Sequence, residues 1–277
     1  MTNTGTWMEL LRAKAKELLE SGVVKLIIGY GKGPEESVRA IFIRKPADSE
    51  KLIGNEQCQQ NLAVYLTKHE IKKFGTVGIV AHLSTLRSIL QMASEHQLNE
   101  GDVVGLGVTA DGKILELSGF KIMEEYVASC VLDLPAADRD ILQKLQAMSR
   151  EDRWNYWMEH VSRCIKCYAC RASCPLCYCG RCQAEYNQPQ WFSAEASPMG
   201  NFEWHVTRAM HLAGRCVNCG ECGRACPVAI PIHLLNFETV ITVKDRFNVA
   251  AGTSASLAPV MSNYSPDDKE DFITHGH

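Results

Sequence analysis

The chain has 277 residues, 46% of them hydrophobic and 22% charged, with a formal net charge of -3. This is the composition of a globular protein with enough core for one large or two ordinary domains. No basic excess exists to meet the phosphates of nucleic acid, and no uninterrupted apolar run approaches the roughly 18–20 residues of a membrane helix. The opening MTNTGTWMELLRAKAK has no apolar signal core, so no secretion signal is read.

In chain order, the first predicted element is a helix over Met8–Ser21, with Trp7, Leu11, Ala15, Leu18 and Leu19 on one face. Gly22 ends it, and VVKLII (Val23–Ile28) reads as a short apolar strand. GYGKGPEES follows as a glycine-rich turn, and RAIFIRKP (Arg39–Pro46) as a strand stopped by its proline. A helix is expected from about Asn55 to His69, with Cys58, Leu62 and Leu66 on one side. GTVGIVA (Gly75–Ala81) is a buried-type strand that runs into a helix over Ser84–His96. GDVVGLGV (Gly101–Val108) is another, and DGK at 111–113 is a tight turn. Strand, helix and strand in that order imply parallel pairing with helices covering the sheet, hence an α/β domain over residues 1–135.

Pro135 marks a change of texture. Residues 136–163 read as helical and charged, with a capping-box pattern opening at Ser149. The helix after it carries Trp154, Tyr156 and Trp157 to the edge of a cysteine-rich region. Thirteen cysteines would suit a secreted disulfide framework, but eleven fall between 164 and 226 at metal-ligand spacings. That distribution points to a reducing cytoplasm and an oxygen-avoiding cell.

Two runs, CIKCYACRASCP and CVNCGECGRACP, share the pattern C-x2-C-x2-C-x3-C-P, the ligand run of bacterial ferredoxins. Three close thiolates on a turning backbone hold three irons of a 4Fe-4S cubane, and a distant cysteine holds the fourth. In two-cluster ferredoxins the last cysteine of each run serves the other cluster. Cys164, Cys167, Cys170 and Cys226 are accordingly assigned to one cluster, and Cys216, Cys219, Cys222 and Cys174 to the second. Structural zinc sites use two separated pairs instead of four cysteines in eleven residues. Three further cysteines, Cys177, Cys179 and Cys182, are either ligands of a third metal centre, with Cys58 or Cys130 as a distant fourth, or free thiols packed as small hydrophobes.

Outside the cysteine runs the signals are weaker. Gly29, Gly31 and Gly33 after a strand suit either a phosphate cradle for a flavin or nucleotide, or a plain loop, since G-x-G-x-x-G is not matched. His82, at a strand-to-helix corner, is a candidate ligand contact, beside Ser84 as a candidate helix cap. His160, His205 and His211 lie near the cysteine runs, where they either tune a cluster through hydrogen bonds or serve the surface and packing. The second half of the 41-residue spacer Pro175–Arg215 and VAIPIHLLNFETVITV after Pro227 read as helices. The last thirty residues, rich in Ser, Ala, Pro and Asp, read as extended or disordered, or as ordered by a partner.

The long helical spacer and the ending ACPVAIPI (Ala225–Ile232) resemble the α-helical ferredoxin domain of heterodisulfide reductase C subunits and succinate dehydrogenase iron–sulfur subunits. VVKLIIGYGKG, EQCQQNLAVYL, GTVGIVAHLSTLRSIL and SRCIKCYACRASCPLCYCGRC are similar to beta subunits of deazaflavin-reducing hydrogenases and formate dehydrogenases. The resemblance implies an α/β N-terminal domain (1–135, a docking or flavin site), a mainly α-helical two-cluster ferredoxin domain (136–245) and a tail (246–277). It implies an electron-transfer subunit that works with a catalytic dehydrogenase, hydrogenase or heterodisulfide-reductase-like flavoprotein. It also implies FAD in the α/β domain, with a flavin-dependent reductase as the alternative function. The chain departs from that family at His82-Leu83, where relatives place Pro-Cys, and at Thr109, where they carry a cysteine. Both departures count against a bound FAD.

Overall fold

The computed structural model describes residues 4–109, 112–182, 184, 189, 191, 193 and 195–262. Among these, two compact units separate: residues up to Val131 together with Gly252–Ser256, and Leu132–Ala251 with the residues from Leu257 on.

The first unit is built on a five-stranded sheet. After helix α1 (Thr4–Glu20) come β1 (Ile27–Lys32), β2 (Val38–Ile43), a short helix α2 (His69–Lys72), β3 (Val77–Ala81) and α3 (Leu83–Ser94). Then follow β4 (Val103–Val108), β5 (Ile114–Ser118) and α4 (Phe120–Ala128). The strand order is β2-β1-β3-β4-β5. The expected parallel pairing holds at the centre, β1 with β3 and β3 with β4. Both edges differ: β2 and β5 join as antiparallel hairpin partners. The β4–β5 turn encloses Gly112, whose φ of +82° is open to glycine, while Asp111 lies outside the described residues. Every residue of β3 is buried, as a central parallel strand requires. Leu11, Ala15, Leu18 and Leu19 of α1 are buried, as their spacing predicts.

Two expectations are corrected in this unit. The first strand starts at Ile27 instead of Val23 and runs through Gly29 and Gly31, so these glycines lie inside a strand and not in a turn. They are small for packing reasons: a Cβ on Gly29 would stand 2.3 Å from Leu52 Cδ2, and one on Gly31 2.6 Å from Ile41 Cγ2. No helix spans residues 55–69. The Asn55 side chain accepts from Gln57 N at 2.9 Å. Asn61 accepts from Ala63 N and donates to Ser88 Oγ. Such side chain–backbone bonds compete with the helical ladder, and the segment closes as a 3-10 turn over Leu62–Tyr65 before α2. The expected tail is described in part. A helix continues to Phe247, and Gly252 N donates to Gln91 Oε1 at 2.8 Å, while Ser254 Oγ and Ala255 N both donate to Glu124 Oε1. Residues 263–277 of the expected tail lie outside the described residues.

The second unit is helical: α5 (Ala136–Ala147), α6 (Arg150–Ser162), α7 (Ala169–Ala172), α8 (Pro198–His211), α9 (Glu221–Arg224) and α10 (Ile232–Phe247). Ser149 caps α6 by accepting from Asp152 N at 3.0 Å, as the capping pattern predicts, with Asp152 at the third position where Glu or Gln is usual. Leu142, Leu145, Leu234 and Phe237 form one apolar core. Cys170, Cys222, Trp204, Ala184, Ile230 and Ile232 form another, into which the cysteine runs are built.

Candidate metal centre

The two cysteine runs fold as one backbone motif used twice, 52 residues apart. In the first copy, residues two and four places after Cys164, Lys166 and Tyr168, have φ of 50° and 59°; in the second, Asn218 and Gly220 have 62° and 72°. Each left-handed residue turns the chain back on itself, and each run then enters a four-residue helix, α7 or α9, that buries Cys170 or Cys222. The turn after the last cysteine of each run also repeats: Cys177 N donates to Cys174 O at 3.2 Å, and Ala229 N to Cys226 O at 3.1 Å. Pro175 and Pro227, which have no N–H, sit inside these two turns.

This geometry brings the ends of the two runs together. Cys164, Cys167 and Cys170 line one closed cavity with Cys226 from the second run, and Trp204 and His205 of α8 form another of its walls. The Cys164 thiol faces those of Cys167 and Cys226, and burial pushes it above its ordinary range. Cys170 is pushed up to about 12, chiefly by burial. Cys219 stands beside Cys216 and Cys222 and is also pushed up to about 12, again by burial. Such thiols are protonated at neutral pH, so metal must displace their protons to bind. Among the described residues, no three Cys, His, Asp or Glu side chains converge as a single ion requires. The thiolates of a cubane bind different irons and stand at its corners, further apart than the ligands of one ion.

The surroundings fit an anionic sulfur-rich group. Backbone N–H groups of Lys166 and Ile230 donate to Cys164 Sγ (3.4 Å) and Cys226 Sγ (3.3 Å), and Asn236 Nδ2 donates to Cys222 Sγ (3.3 Å). Trp204 Nε1, Arg208 Nε and both ring nitrogens of His205 are buried with no partner among the described residues. His205 is pushed down to about 4 by burial, then by Arg208 and Lys166, so at neutral pH it carries one N–H. Orphaned donors at this density are costly, and a cluster's sulfurs would accept them. Arg208 is 2% exposed; it donates to Cys170 O at 2.9 Å and faces the thiols of Cys177, Cys174, Cys222 and Cys170.

The sequence located the cysteines but not Arg208, Trp204, Lys166 or Asn236. The available signal was a polar stripe on α8: Asn201, His205 and Arg208 recur at helical spacing and are all buried, beside Trp204. His205 was singled out by its place in the chain. Of the other two histidines, His160 meets Arg163 and the Tyr156 ring, and His211 lines a cavity with Cys177, Cys179 and Cys182.

The remaining candidates lie in the first unit. Gly29 and Gly31 are strand residues; Gly33 N donates to Ser37 O in the turn after β1. His82, not Ser84, is the N-cap residue of α3, and its Nε2 meets Cys58 O at 2.6 Å. Cys58 is buried, its thiol within reach of Ile53 O and Asn55 Oδ1, and burial raises its pKa. Cys130 stands beside the Tyr126 hydroxyl. Thr109 hydrogen-bonds Lys113 across the β4–β5 turn.

Residues 163–231 match the family described as "4Fe-4S dicluster domain", which places the cysteine-bearing region among iron–sulfur proteins. The chain is also similar to the F420-dependent formate dehydrogenase subunit beta of Methanocaldococcus jannaschii, with 32% identity over 106 residues. That match covers 38% of this chain and 27% of the relative, so the chain spans little more than a quarter of the curated protein it matches. No helix among the described residues is long and apolar enough to cross a membrane.

Proposed function

We propose that this chain is an iron–sulfur electron-transfer subunit of an oxidoreductase complex. In this reading Cys164, Cys167, Cys170 and Cys226 hold one 4Fe-4S cluster, and Cys216, Cys219, Cys222 and Cys174 hold the second. The observation that carries it is the cavity that Cys226 of the second run shares with the first three thiols of the first, the exchange two-cluster ferredoxins use. At the 52-residue offset Cys174 is the counterpart of Cys226, which supports the same role for it. Bound there, the clusters supply one-electron chemistry at potentials on the order of -400 mV. The chain's own residues exclude water, donate hydrogen bonds to sulfur and set the local charge.

The resemblance to a formate dehydrogenase beta subunit supports a catalytic dehydrogenase, hydrogenase or heterodisulfide-reductase-type subunit on one side and a second redox partner on the other. The α/β unit then serves as a docking platform. Anaerobic purification with iron and sulfide analysis, followed by EPR of the reduced protein, tests the reading. Cys226→Ala and Cys164→Ala are expected to weaken the same signal, and Cys174→Ala and Cys216→Ala the other. A protein that carries no iron and sulfide, or zinc in their place, refutes it.

A further inference from the structure

The repeat isolates three thiols that a two-cluster scaffold does not use. At the 52-residue offset, Cys177, Cys179 and Cys182 correspond to Ala229, Pro231 and Leu234 of the second copy. The second copy makes the same turn without them. In the first copy all three line one cavity of about 740 Å³ together with Arg171, Arg181, Arg208 and Arg215. The loop that carries them is pinned from several sides. Arg171 Nη2 donates to Cys179 O at 2.8 Å and Arg215 Nη2 to Leu176 O at 3.2 Å. The Arg215 guanidinium lies 5.3 Å from the Tyr178 ring centroid.

Spacing decides what such a pocket takes. A single ion needs converging ligands, and among the described residues no three Cys, His, Asp or Glu side chains converge in that way, whereas the thiolates of an iron–sulfur core bind different irons and stand further apart. Bound by three thiolates such a core is a net anion, and the arginine wall favours it. Arg208 is a second sign: it is 2% exposed, lines this cavity and faces the Cys177 thiol. A buried cation is stable only when paired, and an anion on the cavity side supplies what the thiols of the two motifs leave open.

We infer that Cys177, Cys179 and Cys182 hold a third iron–sulfur centre, with one iron left without a cysteine ligand on the cavity side. The inference rests on the reading of the eight motif cysteines as ligands of two clusters. On binding, three iron–thiolate bonds form and three thiol protons leave to solvent; the core is handed over whole by a cluster-assembly donor or forms from ferrous iron, ferric iron and sulfide in the medium.

The test is anaerobic reconstitution of the full chain with ferrous and ferric iron and sulfide, followed by metal and sulfide analysis and EPR. Wild type is expected to take up about four irons beyond the roughly eight of two clusters, and Cys177→Ala/Cys179→Ala/Cys182→Ala to stop at about eight with both motif-cluster signals kept. Cys179→Ala alone, at an exposed position, is the second variant. It is expected to lose the extra iron without disturbing Cys177 or the core. If wild type stops at about eight and both variants match it, or if the extra metal is zinc, the third centre is refuted and the two-cluster reading stands. Wild type well below about eight irons refutes both.

Discussion

Arg208 offers the sharpest test of how this chain sets the behaviour of its clusters. It is buried, donates to the backbone of Cys170 and faces Cys222 and Cys174, so its charge stands between the two cysteine runs. A positive charge stabilises the reduced, more negative state of a nearby cluster and so raises its potential. For unit charges about 6–8 Å apart at an effective dielectric of about 20, the interaction is roughly 2–3 kcal/mol. For a one-electron couple, 1.4 kcal/mol corresponds to about 59 mV. Arg208→Met is therefore expected to lower at least one cluster potential by about 80–130 mV, while Arg208→Lys, which keeps the charge, shifts it by less than about half that. The assay is an EPR-monitored redox titration of the reconstituted protein, with iron content confirming that both variants are loaded. Equal shifts in the two variants would show that the bond to Cys170 O, and not the charge, sets the potential. No shift in either would refute the placement of Arg208 between the clusters.

Two predictions concern the first unit. Gly252 has φ of +70° and lies where a Cβ would come within 2.2 Å of Arg87 O. Gly252→Ala is expected to cost about 2–3 kcal/mol locally and to speed amide exchange in Gly252–Ser256; unchanged exchange would show that this segment is not held as described. Gly29→Ala pushes a methyl against the buried Leu52 side chain, and urea denaturation is expected to show a loss of about 1–3 kcal/mol. A flexible glycine loop would tolerate the change, so a neutral result speaks for the loop and against the strand.

What could be read from the sequence and what could not follows from the range of the interaction behind each feature. The cysteine runs are local patterns, and a spacing rule sets Cys226 beside Cys164, two residues that line one cavity in the fold. Helices α1, α3, α6, α8 and α10 announce themselves by apolar periodicity or by a cap such as Ser149. Three features resisted because a distant partner decides them. Gly29 and Gly31 look like loop residues until Leu52 and Ile41 occupy the space beside them. Residues 55–69 carry a helical stripe, yet Asn61 finds a better partner in Ser88 of α3. Arg208 reads as an ordinary charge on a helix face and becomes buried only because thiols from both runs meet it.

The two copies of the motif also show where the chain accepts strain for the sake of the site. In the second copy the left-handed positions fall on Asn218 and Gly220, residue types that take this conformation readily. In the first they fall on Lys166 and Tyr168, for which left-handed backbone costs about 1–2 kcal/mol each. Local preference therefore opposes the fold in the first copy, and longer-range contacts have to hold it. They are present. The Lys166 ammonium reaches Ser193 O, its N–H is directed at Cys164 Sγ, and the Tyr168 ring packs edge-on against Trp204 with centroids 5.4 Å apart. Strain retained at two positions of one turn, and supported by side chains that serve the same cavity, is the pattern of a site held open for a ligand. The ligand it suits is one whose sulfurs accept the N–H groups that this backbone turns inward.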